Sequence, residues 1–233
     1  MHRGWGALAL ALSLWVRPSR AEGTARLAAD SLHATAEPSR AVGRVGPSRR
    51  RASRTSSAAT PLGRSLARRA ARLVGHRSLR DVSRAFPDDC SGFVRYVYAR
   101  AGLDPLGPGE SRPGASVAAE LYRRAPHRRP AASRPRPGDL VFFHDTYDRN
   151  RDGLVDDGIT HVGLVESVAP DGRVTFIHRA SKGIVRSHLD ARHPTVRRDA
   201  RRRVRNDVLR ARDRKRRERL AGELLVGFAG PAS

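Results

Sequence analysis

The sequence predicts an α+β domain in which helices precede an antiparallel sheet. Apolar residues recur at helical spacing after Leu62 and again after Cys90, which predicts two helices. Four apolar, β-prone runs follow and predict strands, at residues 139–143, 161–168, 173–177 and 184–187. Aromatic residues make up only 5% of the chain and most lie in its second half, so we expect the core there.

The second helix is the more sharply defined of the two. From Cys90 onward, apolar residues follow the i, i+3, i+4, i+7 spacing of a buried helix face up to Gly102, which closes the helix. Asp88 or Asp89 is a natural N-cap, so Cys90 is expected in the first helical turn. The preceding arginine-rich helix is expected to end near Gly75.

The rest of the chain adds smaller elements. A short helix is expected near residues 115–124, and Pro170-Asp171-Gly172 predicts a turn between two strands. Residues 201–219 are very basic, whereas residues 220–228 are apolar again and are expected to pack back on the domain.

Residues 1–21 are typical of a signal peptide, with a basic start, an apolar run and a small-x-small exit at Ala21. The run is too short for a comfortable membrane span, and an uncleaved N-terminal anchor is the alternative. Residues 22–61 have no persistent period and predict a disordered basic linker, followed by a catalytic domain over residues 62–230. We therefore expect an exported protein, periplasmic, wall-associated or extracellular, with no membrane span after signal cleavage.

The formal net charge of +23 is almost entirely arginine, because Lys182 and Lys215 are the only lysines. Such a charge favours a polyanionic partner, namely nucleic acid, anionic lipid or anionic wall polymers. The codon drift of a GC-rich genome would produce the same composition. The export signal and the lack of a recognisable binding motif argue against nucleic acid.

Cys90 is the only cysteine, so the chain cannot form a disulfide within itself. A thiol attacks as thiolate, and a helix N-terminus with a nearby imidazole lowers its pKa. His161 opens a predicted strand and shares a face with Gly163, which leaves space for a helix or substrate; His178 ends the next strand. A hairpin between these strands would supply a nucleophile, a base and an orienting group. Taken singly, a lone cysteine or a strand histidine is more often structural.

Four segments in order resemble the NlpC-type cell-wall cysteine peptidases. The resemblance is carried by Asp89-Cys90-Ser91-Gly92-Phe93-Val94, Pro137-Gly138-Asp139-Leu140-Val141-Phe142-Phe143, Thr160-His161-Val162-Gly163-Leu164-Val165 and Phe176-Ile177-His178-Arg179-Ala180-Ser181. The related CHAP amidases share the order of cysteine and histidine, but the Asp-Cys-Ser-Gly motif favours the NlpC type.

The resemblance implies a papain-like fold and hydrolysis of amide bonds in peptidoglycan stem peptides. We also expect a monomer that requires no cofactor. Cys90 would be the nucleophile, His161 the base and then the acid, and His178 the group that orients His161, with His188 in reserve. Backbone N–H groups around Cys90 and Ser91, next to Asp89, would form part of an oxyanion hole.

One departure from the family concerns the substrate side. The family has a tyrosine and a glycine pair before the cysteine, whereas this chain has Arg84-Ala85-Phe86-Pro87. We expect peptidoglycan or anionic wall polymers as partners, with the basic linker assisting attachment.

An acidic segment over residues 148–158 precedes His161. Its start matches a calcium loop, with oxygen ligands at Asp148, Asn150 and Asp152 and a further carboxylate at Asp156. Ile159 stands where a full EF-hand loop has glutamate, so calcium competes with a simple Asx- and Gly-rich connection. A zinc site from His144, His161 and His178 is a weaker hypothesis, because the spacing matches no compact zinc motif.

Three functions compete at this point. The first is a wall peptidase, or a CHAP-type amidase, and the second is a wall-binding module whose catalytic site has decayed. The third is an arginine-driven nucleic-acid-binding protein. The intact set of Cys90, His161 and His178 favours the first.

Overall fold

The computed structural model describes residues 59–214 and 216–231. The predicted signal peptide, residues 1–21, and nearly all of the predicted linker, residues 22–61, lie outside these residues. Three helices precede all the strands of the described residues: α1 (Pro61–Ala71), α2 (Cys90–Ala99) and α3 (Val117–Arg124), with a 3-10 turn at Leu79–Asp81. Eight strands complete the chain: β1 (His127–Pro130), β2 (Leu140–His144), β3 (Ile159–Val168), β4 (Val174–Ala180), β5 (Gly183–Leu189), β6 (Val208–Arg210), β7 (Arg219–Leu220) and β8 (Leu225–Gly230).

Six of the strands form one antiparallel sheet in the order β1-β8-β2-β3-β4-β5, while β6 and β7 form a small separate ribbon. The predicted α+β class is therefore confirmed. The four predicted strands are also confirmed as β2 to β5, and the turn at Gly172 adopts the positive φ of 89° that favours glycine. The apolar C-terminal run packs back on the domain, as predicted, and its strand β8 lies inside the sheet between β1 and β2.

Both faces of the sheet are buried. One face packs against the helices through residues such as Phe93 of α2, Phe142 of β2 and Leu164 of β3, all fully buried. The opposite face carries Phe143 and Phe176, which pack against the C-terminal segment. Burial on both sides makes the central strands a rigid support for side chains at their ends.

No helix within residues 59–214 and 216–231 is both long enough and apolar enough to cross a bilayer.

Candidate active site

Cys90 begins α2, as predicted, and Asp89 is the N-cap. The Asp89 carboxylate accepts hydrogen bonds from the Gly92 backbone N–H at 2.8 Å and from the Ser91 hydroxyl at 2.7 Å. These bonds satisfy one of the free N–H groups of the helix start and fix the first turn. The Ser91 side chain therefore supports the geometry around the thiol, and its backbone N–H lies beside the sulfur.

Gly92 is required by a close backbone contact. A Cβ atom at this position would lie 1.9 Å from the carbonyl oxygen of Pro87, a distance that no real side chain tolerates. The absence of a side chain lets the segment before Cys90 fold back against the first turn of α2. The glycine of the Asp-Cys-Ser-Gly sequence is thus explained by packing.

Asp88, the other N-cap candidate, has a different function. Its carboxylate forms two hydrogen bonds with the Arg179 guanidinium, at 2.8 and 2.9 Å, and also accepts from Ser78 and the Leu79 N–H. The Arg179 guanidinium holds the pKa of Asp88 well below its usual range. Because Arg179 follows His178 on β4, this ion pair joins the segment before Cys90 to the strand that carries the third candidate residue.

We expect Arg179→Ala to lower the free energy of unfolding by about 1–3 kcal/mol, since it leaves a largely buried carboxylate without its charged partner. Urea unfolding at pH 7 measures this change. Arg186→Ala is the matched control, because Arg186 forms a similar two-bond pair with Glu166 but is more exposed. That loss should not exceed about 1 kcal/mol. Equal losses of unfolding free energy in both variants would show that the pair between Asp88 and Arg179 stabilises the fold no more than an exposed ion pair does.

His161 and His178 are directly hydrogen-bonded. The Nε2 atom of His161 lies 2.8 Å from Nδ1 of His178, and the two rings are nearly perpendicular, at 88°. Gly163 was expected to make room for a helix or substrate, and this expectation is wrong. A Cβ at Gly163 would lie 2.9 Å from the Phe176 ring and 3.3 Å from the Cβ of His178 on β4, so the glycine instead permits the close packing of β3 against β4.

The thiol lies against the start of β3, where His161 is located. The backbone N–H of Val162, the residue after His161, favours the ionised form of Cys90, as do the N–H groups of Cys90 and Ser91. The negative charge of Asp89 acts on both Cys90 and His161, since it raises the pKa of each. The thiol therefore lies against the backbone of the strand that carries His161, and His178 lies beyond His161.

Burial, and not the helix N-terminus, dominates the protonation of the site. Burial raises the pKa of Cys90 to about 11 and lowers that of His161 to about 4. Burial, reinforced by the nearby His161, also holds the pKa of His178 well below its usual range. The expected lowering of the thiol pKa is thus not found, because desolvation outweighs the stabilising N–H groups. Both shifts favour the neutral thiol and the neutral imidazole at neutral pH.

A raised thiol pKa predicts slow alkylation of the free enzyme at pH 7 and a rate that increases towards pH 11, because only the thiolate reacts. Iodoacetamide labelling followed by intact mass measures this rate, and the single cysteine makes the assignment unambiguous. Free cysteine at each pH is the control. Rapid labelling at pH 7 that persists to pH 5 would instead show a thiolate–imidazolium ion pair.

The other predicted histidines lie elsewhere. His188, the reserve for the third role, is held by Asp207 at 3.0 Å, and His144 is bonded to Asp145 at 2.6 Å. Within residues 59–214 and 216–231, no three His, Cys, Asp or Glu side chains are arranged to hold a metal ion. The structure thus brings His178 to His161, and it gives no support to the zinc hypothesis.

The acidic loop is organised by its own hydrogen bonds. The Asp148 carboxylate accepts from the N–H groups of Arg151 and Gly153, and Asp152 accepts from Leu154 and from the Asn150 amide. These Asx-type turns explain the loop without an ion. Calcium binding by Asp148, Asn150, Asp152 and Asp156 stays a prediction.

The same loop brings Tyr147 near the thiol. Tyr147 is 51% exposed, and partial burial together with the negative charge of an ionised Cys90 raises its pKa, so the phenol lies within electrostatic range of the thiol. The preceding residue, Thr146, is fixed by a buried hydrogen bond of 2.8 Å between its hydroxyl and that of Thr160, next to His161. No spacing rule in the sequence relates Tyr147 to Cys90, so sequence reasoning missed it.

The sequence was compared with known protein families and curated proteins. The model of the NlpC/P60 family matches residues 80–203, more than half of the chain. No curated protein matches it. The matched segment contains Cys90, His161 and His178, together with the ion pair between Asp88 and Arg179. The chain belongs to the NlpC/P60 family.

Proposed function

We propose that this protein is an exported cysteine peptidase or amidase that hydrolyses amide bonds in peptidoglycan stem peptides. Membership of the NlpC/P60 family implies cell-wall peptidase or amidase activity. The observation that carries the finer proposal is the 2.8 Å bond between His161 and His178, formed beside a thiol at a helix N-terminus. The thiol, His161 and His178 would supply the nucleophile, the base and the orienting group of the reaction.

The first chemical step follows from the protonation of the resting site. Because Cys90 and His161 are both neutral, the proton passes from Sγ to His161 as the sulfur attacks the amide carbonyl carbon. With Nε2 of His161 bonded to His178, Nδ1 is the atom left to take that proton. The carbonyl oxygen gains the negative charge, and the N–H groups of Cys90 and Ser91, which act on the thiol, are candidate donors for it.

The second half of the reaction returns the proton and uses one water. His161 protonates the leaving amine, the carbon–nitrogen bond breaks, and a thioester on Cys90 remains. A water molecule then gives a proton to His161 and attacks the thioester carbon. The carbon–sulfur bond breaks, a carboxylic acid is released, and His161 passes its proton to the sulfur, which restores the thiol and the neutral imidazole. Throughout, His178 accepts the Nε2 proton of His161 in a hydrogen bond and stabilises the imidazolium.

The groove formed by the segment that precedes Cys90 suits an anionic substrate. It has a volume of about 490 Å³ and is lined by Arg80, Arg84, Ala85, Phe86, Pro87 and Asp88. The Asp88 charge is neutralised by Arg179, so the exposed Arg80 and Arg84 determine the sign of the groove. This segment replaces the tyrosine and glycines of the family, and its arginines are suited to the carboxylates of a stem peptide.

Digestion of purified peptidoglycan and of defined muropeptides by the full chain tests the proposal. We expect new free amines, and mass spectrometry should find product pairs whose masses add up to the substrate plus one water. Sedimentation of the protein with the wall but no new amine would overturn the proposal in favour of a wall-binding module. Recovery of the mature protein outside the cytoplasm, without residues 1–21, tests export separately.

A further inference from the structure

A buried hydroxyl lies behind the second imidazole. The Oγ atom of Ser187, on β5, is 3.1 Å from Nε2 of His178, and Ser187 and His178 are only 8% and 4% exposed. On β5, Ser187 is paired with Phe176, whose ring packs against His178 at 5.1 Å. The hydroxyl therefore completes a line of side chains that runs from Cys90 through His161 and His178.

We propose that Ser187 is a positioning residue that keeps His178 in the tautomer that accepts a hydrogen bond from His161. This inference rests on the proposed function, because it concerns the group that orients the base.

The required tautomers follow from the path of the proton along this line of side chains. For His161 to accept the thiol proton at Nδ1, its other nitrogen must carry hydrogen and donate to His178. Nδ1 of His178 must then be bare, so the His178 proton must be on Nε2. In this tautomer the Nε2–H donates to the hydroxyl oxygen of Ser187, which lies 3.1 Å away.

Removal of the hydroxyl changes which tautomer is favoured. In Ser187→Ala, the productive form of His178 would bury an N–H with no acceptor at this position, which is costly in an apolar site. The imidazole is then expected to carry its proton on Nδ1 and to donate to Nε2 of His161. In that arrangement the proton of neutral His161 is on Nδ1, so this nitrogen can no longer act as the base toward Cys90.

The test compares Ser187→Ala with Ser187→Thr, which retains the hydroxyl, and with Ser167→Ala, which removes an exposed strand hydroxyl from β3. We expect Ser187→Ala to lower kcat about 10- to 100-fold with little change in KM. Ser187→Thr should recover most of the loss, and Ser167→Ala should match the wild type.

Two further readouts separate positioning from a merely structural role. Nitrogen NMR shifts of His178 should show a bare Nδ1 in the wild type and a bare Nε2 in Ser187→Ala. In a His178→Ala background, adding Ser187→Ala should have no further effect, since the two residues act through one bond. Unchanged kcat and unchanged tautomer in Ser187→Ala would overturn this inference, whereas activity that persists in Cys90→Ala would overturn the proposed function itself.

Discussion

Cys90→Ala should abolish hydrolysis of peptidoglycan, with kcat reduced on the order of 10⁴-fold or more, as for other removed nucleophiles. The chain has no second cysteine that could take over the attack. Cys90→Ser should also be strongly impaired, because a hydroxyl is a weaker nucleophile at neutral pH and His161 is an unusually weak base here. Amine release from purified peptidoglycan measures both effects.

The control for these variants is a test that each one still folds. The first turn of α2 is held by Asp89 and the Gly92 contact, neither of which involves the thiol, so both variants should keep the wild-type melting temperature within a few degrees. Wild-type affinity for the wall should also be retained. Hydrolysis that survives in the folded Cys90→Ala protein would contradict the assigned nucleophile.

The second large effect is expected at the base. His161→Asn should lower kcat/KM by about 10²- to 10⁴-fold, because no other described imidazole is placed to take the thiol proton. His178→Ala should have a smaller effect, since it removes only the group that orients His161. His188→Asn is the matched control on a neighbouring strand, because His188 is bonded to Asp207 and lies outside the site. An equal loss in all three variants would point to a general structural effect.

The pH profile gives the same account a second test. A folded pKa of about 4 for His161 keeps the base neutral down to that pH, so the acid limb of kcat/KM should lie near pH 4 and not near 6.5. The same depressed pKa of His161 lowers the stability of the fold in acid. Unfolded histidine gains a proton below its ordinary pKa near 6.5 while buried His161 does not, so folding stability should fall as the pH decreases from 6.5 to 4.

Much of the fold and site was predictable because both depend on local patterns. Helical spacing and an acidic N-cap predicted the place of Cys90, and apolar runs predicted the strands that carry His161 and His178. The choice between Asp88 and Asp89 was not predictable, because it depends on Arg179, 91 residues away from Asp88 along the chain. Long-range ion pairs leave no periodic signal in a sequence.

The central position of β8 and the contribution of Ser187 were missed for a related reason. Strand order is set by pairing between distant segments. The apolar run at residues 220–228 therefore predicts that this segment is buried, but it does not predict which strands pair with it. Ser187 lies in an ordinary alternating strand, and only its register against β4 brings the hydroxyl to His178. The thiol pKa was predicted in the wrong direction because the sequence shows the helix start but not the depth of burial.

Detection of a covalent acyl intermediate on Cys90 is the sharpest test of nucleophilic catalysis by this residue. A reaction of the full chain with a defined stem peptide should be quenched in acid within one turnover and examined by intact and peptide mass spectrometry. We expect an acyl adduct on the peptide that contains Cys90. The mass added to that peptide should equal the mass of the carboxylic acid product less one water. Amide hydrolysis that proceeds without such an adduct, and that continues in Cys90→Ala, would contradict it.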